Sequence, residues 1–196
     1  SIHFYKLYYK NDNIKITNNI NSTNILDKYL ISKLSYTIYQ TKKYLDCYNT
    51  IKAISEIHKF IESLNNWYIR RSRQRFWRHE TNSDKQFAYN TLYFVIKNFC
   101  TLSAPIMPLI SEAIYLSIIP KTTSVHLQDF PTLPHISFNK QLINNMEKVR
   151  NACKAALRIR NNQKIKIKVR IGSDPPRFRQ NPKLRFFCIE GFPNHF

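Results

Sequence analysis

The side chains best suited to chemistry in this 196-residue chain sit in one run, Asn66-Trp67-Tyr68-Ile69-Arg70-Arg71-Ser72-Arg73-Gln74-Arg75-Phe76-Trp77-Arg78. Arg70, Arg71, Arg73, Arg75 and Arg78 stand there among large aromatics, with no acid inside the run. A guanidinium presents planar donors that match phosphate oxygens in pairs. An exposed indole can stack on an unpaired base, worth about 1–3 kcal/mol per base. At about 100° per residue, Arg71, Arg75 and Arg78 fall at i, i+4 and i+7 as one stripe flanked by Arg70 and Arg73. Tyr68, Ile69 and Phe76 then turn toward an apolar neighbour. Such a surface can grip a polyanion, and since like charges at this spacing cost a few tenths of a kcal/mol each, something is expected to compensate them. The alternative is a solvated basic face. Trp67 reads as core; Trp77 stays open between core and stacking.

A second basic set lies further on. From Lys148 to Arg170 there are nine basic residues and no acid. Lys154, Arg158 and Arg160 fall on a predicted helix, and Lys164, Lys166, Lys168 and Arg170 alternate with Ile165, Ile167, Val169 and Ile171. Strict alternation predicts a half-buried strand with one cationic face.

No catalytic constellation accompanies these cations. The sequence holds no glycine-rich phosphate loop. His58 reads as a core-edge residue, His79 as a helix-end residue with phosphate contact as the alternative, and His126 as a packing or local hydrogen-bonding residue. Glu112 and Asp129 read as cap or arginine partners and form no acid–base pair. Cys47, Cys100, Cys153 and Cys188 form no CxxC pair, which points to free thiols in a reducing compartment and to no metal site.

Five helices must position the arginines. The first is predicted over about Ile25 to Leu45, with Leu26, Leu30, Leu34, Ile38 and Leu45 as its stripe, Asn24 as N-cap and Asp27 at N3. The second follows a break at Asp46 to Asn49. It carries Ile51, Ile54, Ile57, Ile61, Leu64 and Tyr68 at three- and four-residue spacing directly into the arginine run. Ser83 and Gln86 form a capping box for a third helix, Asp84 to Ser103, with Ala88, Leu92, Val95, Ile96, Phe99 and Leu102 inward. Ala104-Pro105 stops it, and Pro108 opens a fourth helix reaching Ile118. The last runs from about Lys140 to Arg160, with Leu142, Met146, Val149, Cys153, Ala156 and Leu157 inward.

The totals agree with a helical, polyanion-binding chain. Thirty-one basic residues against 12 acidic ones give a formal charge of +19, which implies an anionic partner, most often nucleic acid. Only Gly172 and Gly191 are glycines, which suits helices joined by polar loops rather than hairpins. The apolar faces read as core, not as a membrane surface. With no bilayer-spanning run or signal peptide, the expected compartment is the cytoplasm.

The words themselves resemble a family. Asn66 to Trp77 resembles the signature at the head of the anticodon-binding domain of isoleucyl-tRNA synthetases, class I aminoacyl-tRNA synthetases. Ala104 to Tyr115 resembles the proline-broken helix shared by the isoleucyl, leucyl and valyl enzymes, and Ser124 to Pro131 resembles the isoleucyl connector after it. Tyr8 to Asn13 keeps the Tyr, Asn and Asp of the stretch leaving the catalytic domain. Lys168-Val169-Arg170 agrees with a Lys-x-Arg strand of the C-terminal region, although Ile171-Gly172-Ser173 departs from the family's Gln-Pro-Leu.

The resemblance implies a mainly α fold: a helical bundle of the class I anticodon-binding type, with a short β segment near the C-terminus. It implies a linker over 1–24, a bundle with connector over 25–136, and a basic helix and strand over 137–171. An atypical tail at 172–196 then reads as truncated or frameshifted. The implied partners are tRNA(Ile) and the synthetase catalytic domain, on the same or a separate chain. ATP and Mg belong to that parent ligase and no cofactor to this segment, since the His-x-Gly-His and Lys-Met-Ser-Lys-Ser words of class I catalysis are missing from it. A free-standing RNA-binding module and a decayed fragment are the alternatives.

Overall fold

The computed structural model of the chain describes residues 20, 22–77, 83–119, 123–132 and 138–164. Among these residues the structure is helical and contains no strand. The mainly α expectation holds. The predicted strand at 165–171, the segment 1–19 and the tail 172–196 lie outside the described residues.

Helix α1, Ile25–Asp46, begins where the sequence places it. The Asn24 Oδ1 accepts the Leu26 N–H at 2.9 Å, satisfying one of the donors a helix start leaves open. It is more than a one-sided helix. Tyr29, Leu30, Leu34 and Ile38 are buried, and so are Ser32, Ser35, Thr37 and Thr41. Short hydroxyl side chains fill the tighter sides, and Thr37 Oγ1 returns a hydrogen bond to the Lys33 carbonyl at 2.8 Å. Leu45 is only half-buried.

A long helical rod comes next: α2 over Thr50–Glu62, a wider π-type segment over Ser63–Ile69, and α3 over Arg70–Trp77. The expected stripe needs correction here. Ile51 is 81% and Ile54 48% exposed, while the buried line is Ala53, Ile57, Phe60 and Leu64. Two apolar lines at helical spacing compete in this sequence. The one that wins carries Phe60, which stacks on Phe99 with ring centroids 5.3 Å apart.

Helix α4, Ser83–Ser103, buries Ala88, Leu92, Val95, Ile96 and Leu102 as expected, and adds Tyr89, whose ring meets the edge of Phe76 at 5.0 Å. Pro108 opens α5, Pro108–Ile118, in its first turn. The connector forms a short 3-10 turn at Val125–Leu127, tied to α5 because Glu112 Oε2 accepts the Val125 N–H at 2.8 Å. Glu112 is thus a cap, one of the two roles expected of it.

Helix α6, Lys140–Asn162, starts on Asn139, whose Oδ1 accepts the Leu142 N–H at 2.9 Å. Its inward face differs from the expected one: Ile143 is buried, whereas Val149 and Leu157 are 43% and 41% exposed. The chain divides into two compact units, Ser1–Met146 and Glu147–Phe196, with the division inside this helix. The core of the first unit is one cluster drawn from α1, α2, the π-type segment, α3, α4 and α5, closed by Val125 of the connector.

Candidate nucleic-acid interface

The wide turn before α3 decides which arginines face water. A uniform α-helix continued from Ala53, Ile57, Phe60 and Leu64 at 3.6 residues per turn would carry the buried line through about positions 67–68, 71 and 75. The π-type segment delays it by one residue. The line passes instead through Tyr68, Ser72 and Phe76, all fully or nearly fully buried. Arg71 is thereby left outside. Such a turn in the middle of a helix often marks a functional place.

Arg70, Arg71 and Arg73 are exposed, together with Asn65, Asn66, Gln74 and Trp77. Two of the three arginines are braced by tryptophans. The Arg71 guanidinium lies 4.8 Å from the centroid of Trp67, and that of Arg73 lies 5.3 Å from the centroid of Trp77. Such contacts at exposed sites contribute about 0.5–1 kcal/mol. They also restrict long side chains that would otherwise lose more entropy on meeting a ligand. Trp67 is half-buried, and its indole N–H points at the Met146 Sδ, 3.2 Å away. Trp77, which the sequence left open, is 52% exposed.

Arg75 is the correction to the expected stripe. It is 8% exposed and held by carboxylates from two other elements. Its Nη1 and Nη2 donate to Asp27 Oδ1 and Oδ2, each at 2.8 Å. Its Nε and Nη2 donate to Asp84 Oδ2 and Oδ1 at 2.9 and 2.7 Å. Tyr68 Oη and Ser22 Oγ donate to the same Asp27 at 2.7 and 2.6 Å. Burial alone would lower the Arg75 pKa, but the hydrogen bonds to Asp27 and then Asp84 hold it above its ordinary value. Burial first, then the Asp27 charge, pushes the Tyr68 hydroxyl well above the usual tyrosine range. Asp27, expected only as the N3 residue of the first helix, is the buried anchor of this network. The donors of Arg75 are spent on it, so the residue fixes the rod instead of offering itself to phosphate. Arg78 and His79 lie outside the described residues.

On the second compact unit, Lys154, Arg158 and Lys164 are exposed and Arg160 is half-buried. Lys154 and Arg158 share a face at i and i+4. Lys164 sits just past the helix with φ 54, in the turn that ends it. Lys166, Lys168 and Arg170 lie outside the described residues. Other expected chemistry stays bland: His58 is exposed, as is His126, whose backbone N–H donates to Ser124 Oγ at 3.2 Å. Among the described residues no cluster of three His, Cys, Asp or Glu side chains could hold a metal ion. None of their helices is long and apolar enough to cross a membrane.

An exposed arginine face braced by tryptophan, on an all-helical scaffold, narrows the comparison with known proteins. A family model of the anticodon-binding domain of tRNA ligase matches residues 27–172. The chain belongs to this family. Similar relatives include the isoleucine–tRNA ligase of Rickettsia bellii (strain RML369-C), 36% identical over 94% of this chain and 19% of that ligase. That of Wolbachia pipientis wMel is 40% identical over 88% of this chain and 15% of the relative. That of Rickettsia prowazekii (strain Madrid E) is 35% identical over 85% and 18%. The chain therefore spans less than a fifth of the length of these relatives. Within this anticodon-binding domain, sequence reasoning gave Asp27 only as the N3 residue of α1 and Met146 only as an inward residue of α6, and missed that they, with Asp84, hold the arginine rod from outside the run.

Proposed function

We propose that this domain grips tRNA(Ile) by its anticodon arm, as the RNA-holding portion of an isoleucine–tRNA ligase. The observation that carries the reading is the outward set Arg70, Arg71 and Arg73, two of them stacked on tryptophan, in an anticodon-binding domain. Cations meet the phosphates and set the register of the RNA, while unstacked loop bases supply recognition. Trp77, half-exposed at the end of the rod, is the aromatic of this face suited to such a base. Lys154 and Arg158 offer a second cationic surface of the same chemistry. The ligase reaction itself joins isoleucine to tRNA at the expense of ATP. In this reading ATP and Mg belong to a catalytic domain, on the same or a separate chain, acting in the cytoplasm.

The test is tRNA(Ile) binding measured over a salt series. Each arginine that neutralises a phosphate releases condensed counterions, so losing one contact lowers the salt slope by about 1. Arg71→Ala and Arg73→Ala are each expected to do so with the fold intact. Slopes unchanged in both variants would refute the arginine face.

A further inference from the structure

The turn between α1 and α2 carries an anomaly unconnected with the arginine run. Asn49 N–H donates to the Tyr44 carbonyl at 2.8 Å and Tyr48 N–H to the Leu45 carbonyl at 2.9 Å. This paired pattern closes a helix through a left-handed residue, a position that glycine or asparagine fills with least strain. Tyr48 occupies it with φ 55. A bulky side chain is costly there. The side chain returns nothing to the core, being 93% exposed. The asparagines on either side of this helix show that a cheaper residue was within the chain's ordinary usage. Strain of this kind persists where a surface serves something outside the fold.

The surroundings say what that is. Ile51, the second residue of α2 and three positions after Tyr48, is 81% exposed. The Lys52 Nζ stands 5.8 Å from the Tyr44 ring centroid, and Lys43 lies in the last turn of α1. Asp46 is the acid of this corner, so the two lysines leave it net positive. A projecting phenol ring on a turn that carries an exposed isoleucine and lysines before and after it in the chain matches an unpaired nucleotide, whose base stacks while its phosphate pairs. We infer that Tyr48 is a stacking platform for an unpaired base of the bound RNA, with Lys43 and Lys52 on the adjoining phosphates. This rests on the proposed function and adds to it a contact about 30 Å along the rod from Arg70, at roughly 1.5 Å per residue.

The test uses the full chain and a tRNA(Ile) transcript. Tyr48→Gly should move two readouts in opposite directions. Relief of the left-handed strain raises the melting temperature by about 2–4 °C, while loss of the stack weakens tRNA binding about tenfold. Tyr48→Trp should bind within about threefold of the parent chain, since every aromatic face can stack. Equal affinity of Tyr48→Gly and the parent, with Arg71→Ala still weakened, would overturn the platform and leave the arginine reading standing; a protein-docking corner gives this result. Equal affinity of all three chains would overturn both.

Discussion

Arg75 donates to both carboxylate oxygens of Asp27, Nη1 to Oδ1 and Nη2 to Oδ2, each at 2.8 Å, across 48 positions of sequence. The Asp27 side chain has no exposure and that of Arg75 10%. Removing one member of such a pair strands the other charge in the interior, which costs about 3–5 kcal/mol. Arg75→Met is expected to lower the unfolding free energy, read from urea denaturation, by that amount, and Asp27→Asn by less, because Asp84 still pairs the guanidinium. Arg71→Ala, on the exposed side of the same helix, should stay within about 0.5 kcal/mol. The contrast separates the arginine that holds the rod from those that face solvent.

The helices were legible because their signals are local. Asn24 caps α1 where a polar residue precedes an apolar line, and Pro105 and Pro108 separate α4 from α5. The fate of Arg75 was not, because its partners are brought in by other helices and the run itself holds no acid. A weak signal existed: Asp27 stands in the first turn of a helix whose neighbours Leu26 and Leu30 face the core. The exposure of Ile51 and Ile54 was hidden for a different reason. Periodicity counts apolar positions but does not choose between two lines of equal spacing. The wider turn at Ser63–Ile69 has no residue signature of its own, yet it sets which arginines point outward.

Alkaline pH should weaken the fold in a defined window. Burial pushes the Cys100 thiol from 9.0 up to about 12. The folded chain thus keeps a proton that the unfolded chain gives up, and this stability is fully present below pH 9. It is lost as pH rises from 9 toward about 12, at up to about 1.4 kcal/mol per pH unit for each such group. Tyr68 and Tyr115, both raised chiefly by burial, act in the same direction above their ordinary range. Denaturation midpoints measured from pH 8 to pH 11 check the slope, and Cys100→Ala should flatten its first part.

Thiol labelling follows the same burial. Cys47 is exposed and Cys100 buried, both free. Under native conditions an aromatic disulfide reagent should modify Cys47 promptly and Cys100 only on unfolding, because reaction requires an accessible thiolate. Rapid labelling of Cys100 in the folded Cys47→Ser chain would contradict the core packing around α4.

The wider segment offers the strictest test of how the arginine face is made. It delays the buried line by one residue, so removing one exposed residue should return the rod to uniform α-helix with the same residues inward. Asn66 is exposed and lies in this segment. Its deletion is expected to leave Tyr68, Ser72 and Phe76 buried, with stability within about 1 kcal/mol of the parent, the typical cost of a single change. Inserting an alanine after Asn66 should do the opposite. Each added residue turns the helix by about 100°, which would swing the Asp27 partner away from its carboxylate and aim Arg71 differently. The insertion should lower the unfolding free energy by the cost of a broken buried pair, about 3–5 kcal/mol. Equal effects of deletion and insertion would mean that the segment is a passive irregularity, with the orientation of Arg70, Arg71 and Arg73 set elsewhere.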